Sequence, residues 1–330
     1  MVDGGTITFI PRPEVYPPAN PSNRIAAAAA IHIQLKSGGS PSQHRAKILP
    51  MRKILILGAK GTLGGQLMKL YPEAVGWDRE EIDVLDWPSL TGRIEGLGFT
   101  PEAIVNCVAF NDVDGAEDRP QAAMALNADF PGRLAGFARD LGIPLVHYST
   151  NYVFDGSRGE YSETDTPSPV SVYGSSKRRG EELVLESGGR HYVVRTAVIF
   201  GPKGASDLSK KSFVDIMLDL SAKRDTIQAV ADEVNSVTYA PDLAEGTRGL
   251  LERLPAPGIY HVTNSGGASW FDMAQEVFRI TRKNVTVLPV PSTNFPRKAT
   301  RPARAILLNT KLAPVRRWQD ALAEFLDTTA

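Results

Sequence analysis

From residue 53 the chain alternates unbroken apolar runs with segments whose apolar residues recur at helical spacing. "KILIL" (53–57) ends at Gly58 and reads as a strand. "GTLGGQLMKLY" (61–71) follows with apolar positions three and four apart, the spacing of a helix with one buried face. "EAVGWD" (73–78) reads as a second strand, "PSLTGRIEGLGF" (88–99) as a helix and "AIVNCVA" (103–109) as a third strand. A long amphipathic helix is predicted over 120–142, interrupted only by Pro131. The strand "IPLVHYS" (143–149), a helix over about 172–187 and the strand "YVVRTAVIF" (192–200) complete the series. Short strands alternating with helices imply right-handed βαβ units. The predicted fold is α/β: a doubly wound parallel sheet with ligands at the carboxyl ends of its strands.

After about residue 203 the alternation loosens. Helices are predicted over 211–223, 241–254 and 268–282, and short strands over 258–263 and 285–290. We expect a dinucleotide-binding domain over 51–203, with some later segments returning to it, and a smaller substrate lobe formed mainly by 204–330. Residues 1–50 differ in composition. "PRPEVYPPANPSN" and "KSGGSPSQHR" are rich in Pro, Gly and Ser and resist regular structure. They predict a disordered extension without chemistry, the alternative being a segment packed on the domain or on a partner subunit.

Composition narrows the partners. Lys+Arg and Asp+Glu both number 37, so the net charge is zero. Such a chain offers no general field for nucleic acid or an anionic membrane. No apolar run approaches the roughly 20 residues of a membrane-spanning helix. Cys107 is the single cysteine, which precludes an internal disulfide and suits a reducing compartment. The expectation is a cytoplasmic protein. The five histidines are scattered without ligand spacing, so no metal site is expected. The oligomeric state stays open, a homodimer among the options.

"GAKGTLG" (58–64) sits between the first strand and the first helix. In a dinucleotide loop Gly58 makes the turn, Gly61 admits a pyrophosphate, and Gly64 lets helix and strand approach. The helix start at Thr62 and Leu63 then favours the anion. Asp78 lies twenty residues beyond Gly58, where an acidic side chain would hold a ribose hydroxyl. Arg79 and Lys60 are alternatives for a 2′-phosphate, so NADPH and NADH both remain open. Asp83 and Val84 are placed to meet an adenine ring. Val108, Ala109 and Phe110 end the strand beside the loop and should line the cofactor's path.

"YGSSK" places Tyr173 and Lys177 four residues apart, on one helix face. A free tyrosine has a pKa of about 10. A nearby ammonium favours the phenolate, which would suit the pair to proton transfer at a carbonyl or alcohol oxygen. Ser149, Thr150 and Asn151 come at the carboxyl end of a central strand, where such sheets place ligands, and the Thr150 hydroxyl would hold the substrate oxygen. Alone, a Tyr–Lys pair is also a solvated helix face and a threonine also a turn cap. After a dinucleotide loop, and in this order, they read as one site.

Together these residues resemble the extended short-chain dehydrogenase/reductase family. "VNCVAFNDVDGAE", "HYSTNYVFDG", "VVRTAVIFGPKG" and "FPRKATRPARAILLNTKL" are similar to its dTDP-4-dehydrorhamnose reductase branch over about 51–327. The resemblance implies a nucleotide-sugar substrate and reduction of the 4-keto group of a dTDP-linked 6-deoxysugar. It implies that Tyr173 protonates the alkoxide, that Thr150 binds the same oxygen, and that Lys177 grips the nicotinamide ribose. It places Asn111, Val113, Asn151, Val198 and Arg301 at the sugar nucleotide. Arg297, Lys298, Arg301 and Arg304 offer charge for its diphosphate. Two positions depart from the branch: Asn151 stands where it has Asp, and Val198 where it commonly has Trp. A superfamily 4,6-dehydratase would need an Asp-Glu pair after Thr150, where this chain has Asn151 and Tyr152. A different class of relative binds a nicotinamide nucleotide without turnover, as a regulatory subunit of methionine adenosyltransferase. The Tyr173–Lys177 pair argues against that reading.

Overall fold

The structure is a computed structural model. It describes residues 53–206 and 209–329, so the extension expected over 1–50 lies outside the described residues. The first half runs β1 (Leu55–Leu57), α1 (Thr62–Leu70), β2 (Val75–Trp77), α2 (Trp87–Glu95), β3 (Ile104–Asn106), α3 (Val113–Asp118) and α4 (Pro120–Met124). A π-helical stretch (Ala125–Asp129) leads into α5 (Phe130–Asp140), β4 (Leu145–Thr150), β5 (Gly159–Tyr161), α6 (Val172–Glu186) and β6 (His191–Thr196). The second half adds β7 (Ile199–Phe200), α7 (Phe213–Ser221), β8 (Thr226–Val230), β9 (Val234–Ser236), β10 (Thr238–Tyr239) and α8 (Ala240–Arg253). It closes with β11 (Gly258–His261), β12 (Gly267–Ser269), α9 (Trp270–Thr281), β13 (Thr286–Val290), β14 (Arg304–Leu307) and α10 (Trp318–Thr329).

Six strands form one sheet in the order β11-β6-β4-β3-β1-β2, and every pair is parallel. This is the doubly wound α/β sheet of a Rossmann-type fold. Chain order reverses at β1, which lies between β2 and β3, and such a switch point opens a crevice at the strand ends. Successive residues of β1 face opposite layers, as the pleat requires. Ile54 and Ile56 pack with Leu63 and Leu67 of α1 and Leu243 and Leu250 of α8. Leu55 and Leu57 pack with Leu90 and Ile94 of α2 and Leu134 and Ala138 of α5. The late elements α8 and β11 therefore belong to the sheet and its covering layer, although they follow residue 203.

The smaller lobe is built differently. Its four-stranded sheet has the order β12-β9-β14-β5, and β13-β8 and β10-β7 are separate pairs. Val214, Met273, Val277, Trp318 and Phe325 share its core. The helix predicted over 120–142 is one run widened in the middle by the π stretch. Pro131 has no N–H, so the carbonyl of Asn127, four residues earlier, loses its usual partner. That carbonyl sits where a Cβ on Gly180 would come within 2.0 Å, so Gly180 lets α6 approach the widened turn.

Candidate active site

The glycine loop is shaped by its sequence. Gly58 has φ +79°, a conformation that L side chains rarely adopt. A Cβ at Gly64 would lie 2.0 Å from the Gly58 carbonyl oxygen, so α1 can start this close to β1 only with glycine there. The N–H groups of Gly58 and Ala59 donate to the Trp77 carbonyl at 2.8 and 3.1 Å, tying the loop to β2. Gly61 caps α1 without a side-chain hydrogen bond, which leaves the first-turn N–H groups for an anion. These features fit a dinucleotide pyrophosphate.

At the β2 end, Asp78 accepts from the backbone N–H of Lys60 at 3.0 Å and of Arg79 at 2.8 Å. Its carboxylate is thereby fixed at the edge of the crevice. The Lys60 ammonium turns away to Glu80 and, at 2.6 Å, to Glu81. Arg79 is exposed beside it.

A cleft of about 1010 Å³ gathers most of the predicted site. Gly58, Gly61, Thr62, Leu63, Gly64, Asp78, Arg79, Asp83, Val84, Val108 and Ala109 line one end. Asn111, Thr150, Tyr173, Lys177 and Val198 line the other. The remaining predicted residues do not line it. Phe110 is half-buried, with its N–H and carbonyl both held by the Asn127 side chain at 2.8 and 3.0 Å. Val113 opens α3. Asn151 is 1% exposed and donates to Asn235 Oδ1 at 2.7 Å and to the Ala305 carbonyl at 3.0 Å. Its amide therefore ties the end of β4 to the lobe's sheet.

The basic loop is also engaged. Arg301 makes a two-pronged pair with Asp114, Nη2 to Oδ2 at 2.8 Å and Nη1 to Oδ1 at 3.1 Å, and holds that carboxyl at about 2. Lys298 pairs with Asp118 at 2.6 Å, and Arg297 with Glu233. Arg304 is exposed.

α6 brings Tyr173 and Lys177 to the cleft. Ser171 caps it by accepting from Gly174 N–H at 3.1 Å, and Glu117 of α3 accepts from Val172 N–H at 2.9 Å. Lys177 is buried and donates to the Tyr148 carbonyl of β4 at 2.5 Å. Burial lowers its pKa to about 8, against the opposing pull of Glu181. Tyr173 is pushed up to about 12 by burial, with Thr150 drawing it down and Tyr152 adding to the rise. The direction is opposite to the one expected from a nearby ammonium, because burial penalises the phenolate. Thr150 accepts from Tyr152 N–H at 3.2 Å and donates to Asn151 Oδ1 at 3.3 Å.

Sequence reasoning missed several lining groups. Trp77 and Leu126 contribute apolar wall, and Lys210 and Ser212 reach the cleft from the segment before α7. Ser149, expected from the sequence at the ligand end of β4, lines it too, and its buried hydroxyl has no hydrogen-bond partner. The "YST" strand end carried that signal. The segment before α7 carried none, because it reaches the cleft only through the tertiary fold.

Residues 51–330 match the family model described as the RmlD substrate binding domain. The chain belongs to that family. It is 36% identical over 292 residues to a dTDP-4-dehydrorhamnose reductase of Streptomyces griseus, covering 83% of this chain and 93% of that one. It is 38% identical over 284 residues to a probable dTDP-4,6-dihydroxy-2-methyloxan-3-one 4-ketoreductase of Streptomyces antibioticus, covering 82% and 93%. Among solved structures it resembles a dTDP-4-dehydrorhamnose reductase of Bacillus anthracis in complex with NADP. That match has a TM-score of 0.79 and 32% identity over 85% of this chain and all of that one. No helix among the described residues is long and apolar enough to cross a membrane. No cluster of potential metal ligands occurs among them either.

Proposed function

We propose that this chain is an NAD(P)H-dependent oxidoreductase that reduces the 4-keto group of a dTDP-linked 6-deoxysugar. The substrate we assign is dTDP-4-dehydro-L-rhamnose, and the product dTDP-L-rhamnose. The observation that carries this reading is the single cleft in which a glycine cradle meets Thr150, Tyr173 and Lys177. Bound at the cradle, the reduced nicotinamide would supply the hydride for C4. The chain's own residues manage the oxygen and the proton. Thr150 hydrogen-bonds the C4 oxygen, and Tyr173 donates its proton to that oxygen as charge develops. A phenol near 12 stays loaded with its proton at neutral pH, as a donor must. Lys177 holds the ribose and places a positive charge beside the oxygen. Asp78, fixed by two backbone N–H groups, reads the adenosine ribose. We place the reaction in the cytoplasm, in keeping with the single cysteine.

A second reading keeps the chemistry and changes the sugar. Val198 lines the cleft, and the Streptomyces antibioticus relative is named for a different 4-ketosugar. The test is spectrophotometric. Purified protein with dTDP-4-dehydro-L-rhamnose should oxidise NADH or NADPH in a sugar-dependent way. Oxidation only with another dTDP-4-ketosugar would favour the second reading. Nucleotide binding without oxidation of any such sugar would refute both.

A further inference from the structure

α6 carries three ionisable side chains on one stripe: Tyr173, Lys177 and Glu181 follow at intervals of four. The proposed chemistry uses the first two. Glu181 is 3% exposed and Arg195 of β6 is 1% exposed, and they meet in a two-pronged pair. Arg195 Nε donates to Oε1 at 2.8 Å and Nη2 to Oε2 at 2.6 Å. The guanidinium lies 4.9 Å from the centre of the Phe154 ring, and its Nη1 has no hydrogen-bond partner. A buried ion pair is weak support for stability, because desolvation of both charges offsets their attraction. Its position suggests another purpose.

β4 and β6 are adjacent, with Ser149 opposite Arg195 and Tyr148 opposite Val194. Along its stripe α6 is therefore fastened twice to this strand pair, by Lys177 to the Tyr148 carbonyl of β4 and by Glu181 to Arg195 of β6. Two fastenings at different heights fix both the rotation and the advance of a helix. We propose that the Glu181–Arg195 pair is the positioning element of the site: it sets the rotation of α6, and thereby aims Lys177 and Tyr173 at the cleft. This rests on the oxidoreductase reading for the use of those two residues.

The pair also governs the charge behind Lys177. Facing that lysine are Glu181 from its own helix and His147 and Tyr148 from β4, with Arg195 of β6 paired to Glu181. On the flank of α6 that carries Ser176 and Gly180 the π stretch presents the neutral Asn127, whose amide donates to Ser176 at 3.0 Å. His147 is buried and held neutral. Glu181 is thus the one acidic side chain facing Lys177 among the described residues.

The test replaces the pair with apolar residues of similar size, Glu181→Leu combined with Arg195→Met, a change that buried pairs often tolerate. Three readouts are taken: thermal melting, kcat against KM for the sugar nucleotide, and the pH dependence of NADH affinity. The last is followed by quenching of protein fluorescence, since Trp77 lines the cleft. The expected result is a cooperative melt, kcat down by about tenfold or more with KM little changed, and loss of NADH affinity at a lower pH than in the wild type. A folded double variant with unchanged kcat and an unchanged pH profile would overturn the proposal and leave the pair a purely structural element. If the double variant does not fold, Glu181→Asp keeps the charge and shortens the reach by one methylene. It should lower kcat and leave KM intact, and wild-type kcat in it would count equally against the proposal. NADH binding needs no sugar. A wild type that binds NADH with a limb near pH 8 and reduces no ketosugar would fault the functional reading alone.

Discussion

The two halves of the site come from regions built on opposite plans. The glycine loop, Thr150, Tyr173 and Lys177 sit on or beside a six-stranded parallel sheet whose strands β1, β2, β3, β4 and β6 are joined by helical connections, with β11 alone returning from beyond β10 and α8. The sugar end borders a lobe whose strands come from distant parts of the chain: β14 pairs with β5, about 145 residues earlier, and also with β9. The sheet supplies rigid positions for chemistry that must hold to a fraction of an ångström. On the proposed reading the sheet side carries the chemistry and the lobe side selects the sugar, so each can be attacked alone.

The largest effect should come from the sheet side. Tyr173→Phe removes the proton donor and leaves the glycine cradle intact. Turnover should fall by about 10²–10⁴-fold, while NADH quenches protein fluorescence as in the wild type. A variant that kept near-normal turnover would remove Tyr173 from the mechanism.

Next comes the pH dependence of the same helix. Lys177 titrates at about 8 in the folded chain, below its ordinary value of 10.5. Tyr173, near 12, keeps its proton throughout that range. kcat/KM for reduction should therefore decline above about pH 8 as Lys177 loses its charge. Stability should move the other way. Between about 8 and 10.5 the folded chain binds fewer protons at this site than the unfolded chain, so the contribution of Lys177 to stability rises with pH. Lys177→Met should abolish both trends. Parallel curves for the two proteins would mean that the limb belongs to another group.

The border between the regions is probed by Asn151→Asp. The amide of Asn151 donates to Asn235 and to the Ala305 carbonyl, and a carboxylate can donate to neither. Asn235 can rotate its own amide, but the Ala305 carbonyl and a buried charge remain uncompensated. The variant should lose about 1–3 kcal/mol of stability in urea titration. An unchanged midpoint would show that the network is not needed to hold β4 against the lobe.

The same contrast explains what was legible in the sequence. The runs around β1, β3, β4 and β6 announced the sheet because a strand buried on both faces is apolar throughout. The glycine loop and the Tyr173–Lys177 spacing were legible because each function is met within a few residues of chain. The return of α8 and β11 to the sheet could be foreseen only in outline, since nothing in "GIYHVT" says which sheet it joins. The partners of Arg301 and Lys298 were hidden, because Asp114 and Asp118 lie some 180 residues away, and so was Glu233, which pairs with Arg297 from 64 residues away. Asn151 reads as a pocket residue by its place in "STNYVFDG". Only the folded chain reveals acceptors at 235 and 305 facing its amide.

The smallest effect tests the lobe side of the contrast. Val198 has φ +37°, a left-handed conformation that a β-branched residue rarely adopts. Its carbonyl accepts from Thr238 N–H at 3.1 Å, at the point where β7 begins to pair with β10. That pairing holds the backbone in place, and the strain is retained at the cleft wall. Val198→Gly relieves the strain, and removing the side chain enlarges the cleft at the sugar end. Against the relief stands the greater freedom of glycine in the unfolded chain. The side chain's packing against the lobe core is lost as well, so the terms offset and stability should change by less than about 1 kcal/mol. KM for the sugar nucleotide should change, while kcat and NADH affinity stay near wild type. A fall in kcat comparable to that of Tyr173→Phe would mean that the lobe side of the cleft also positions the chemistry, and the separation between the two regions would fail at this residue.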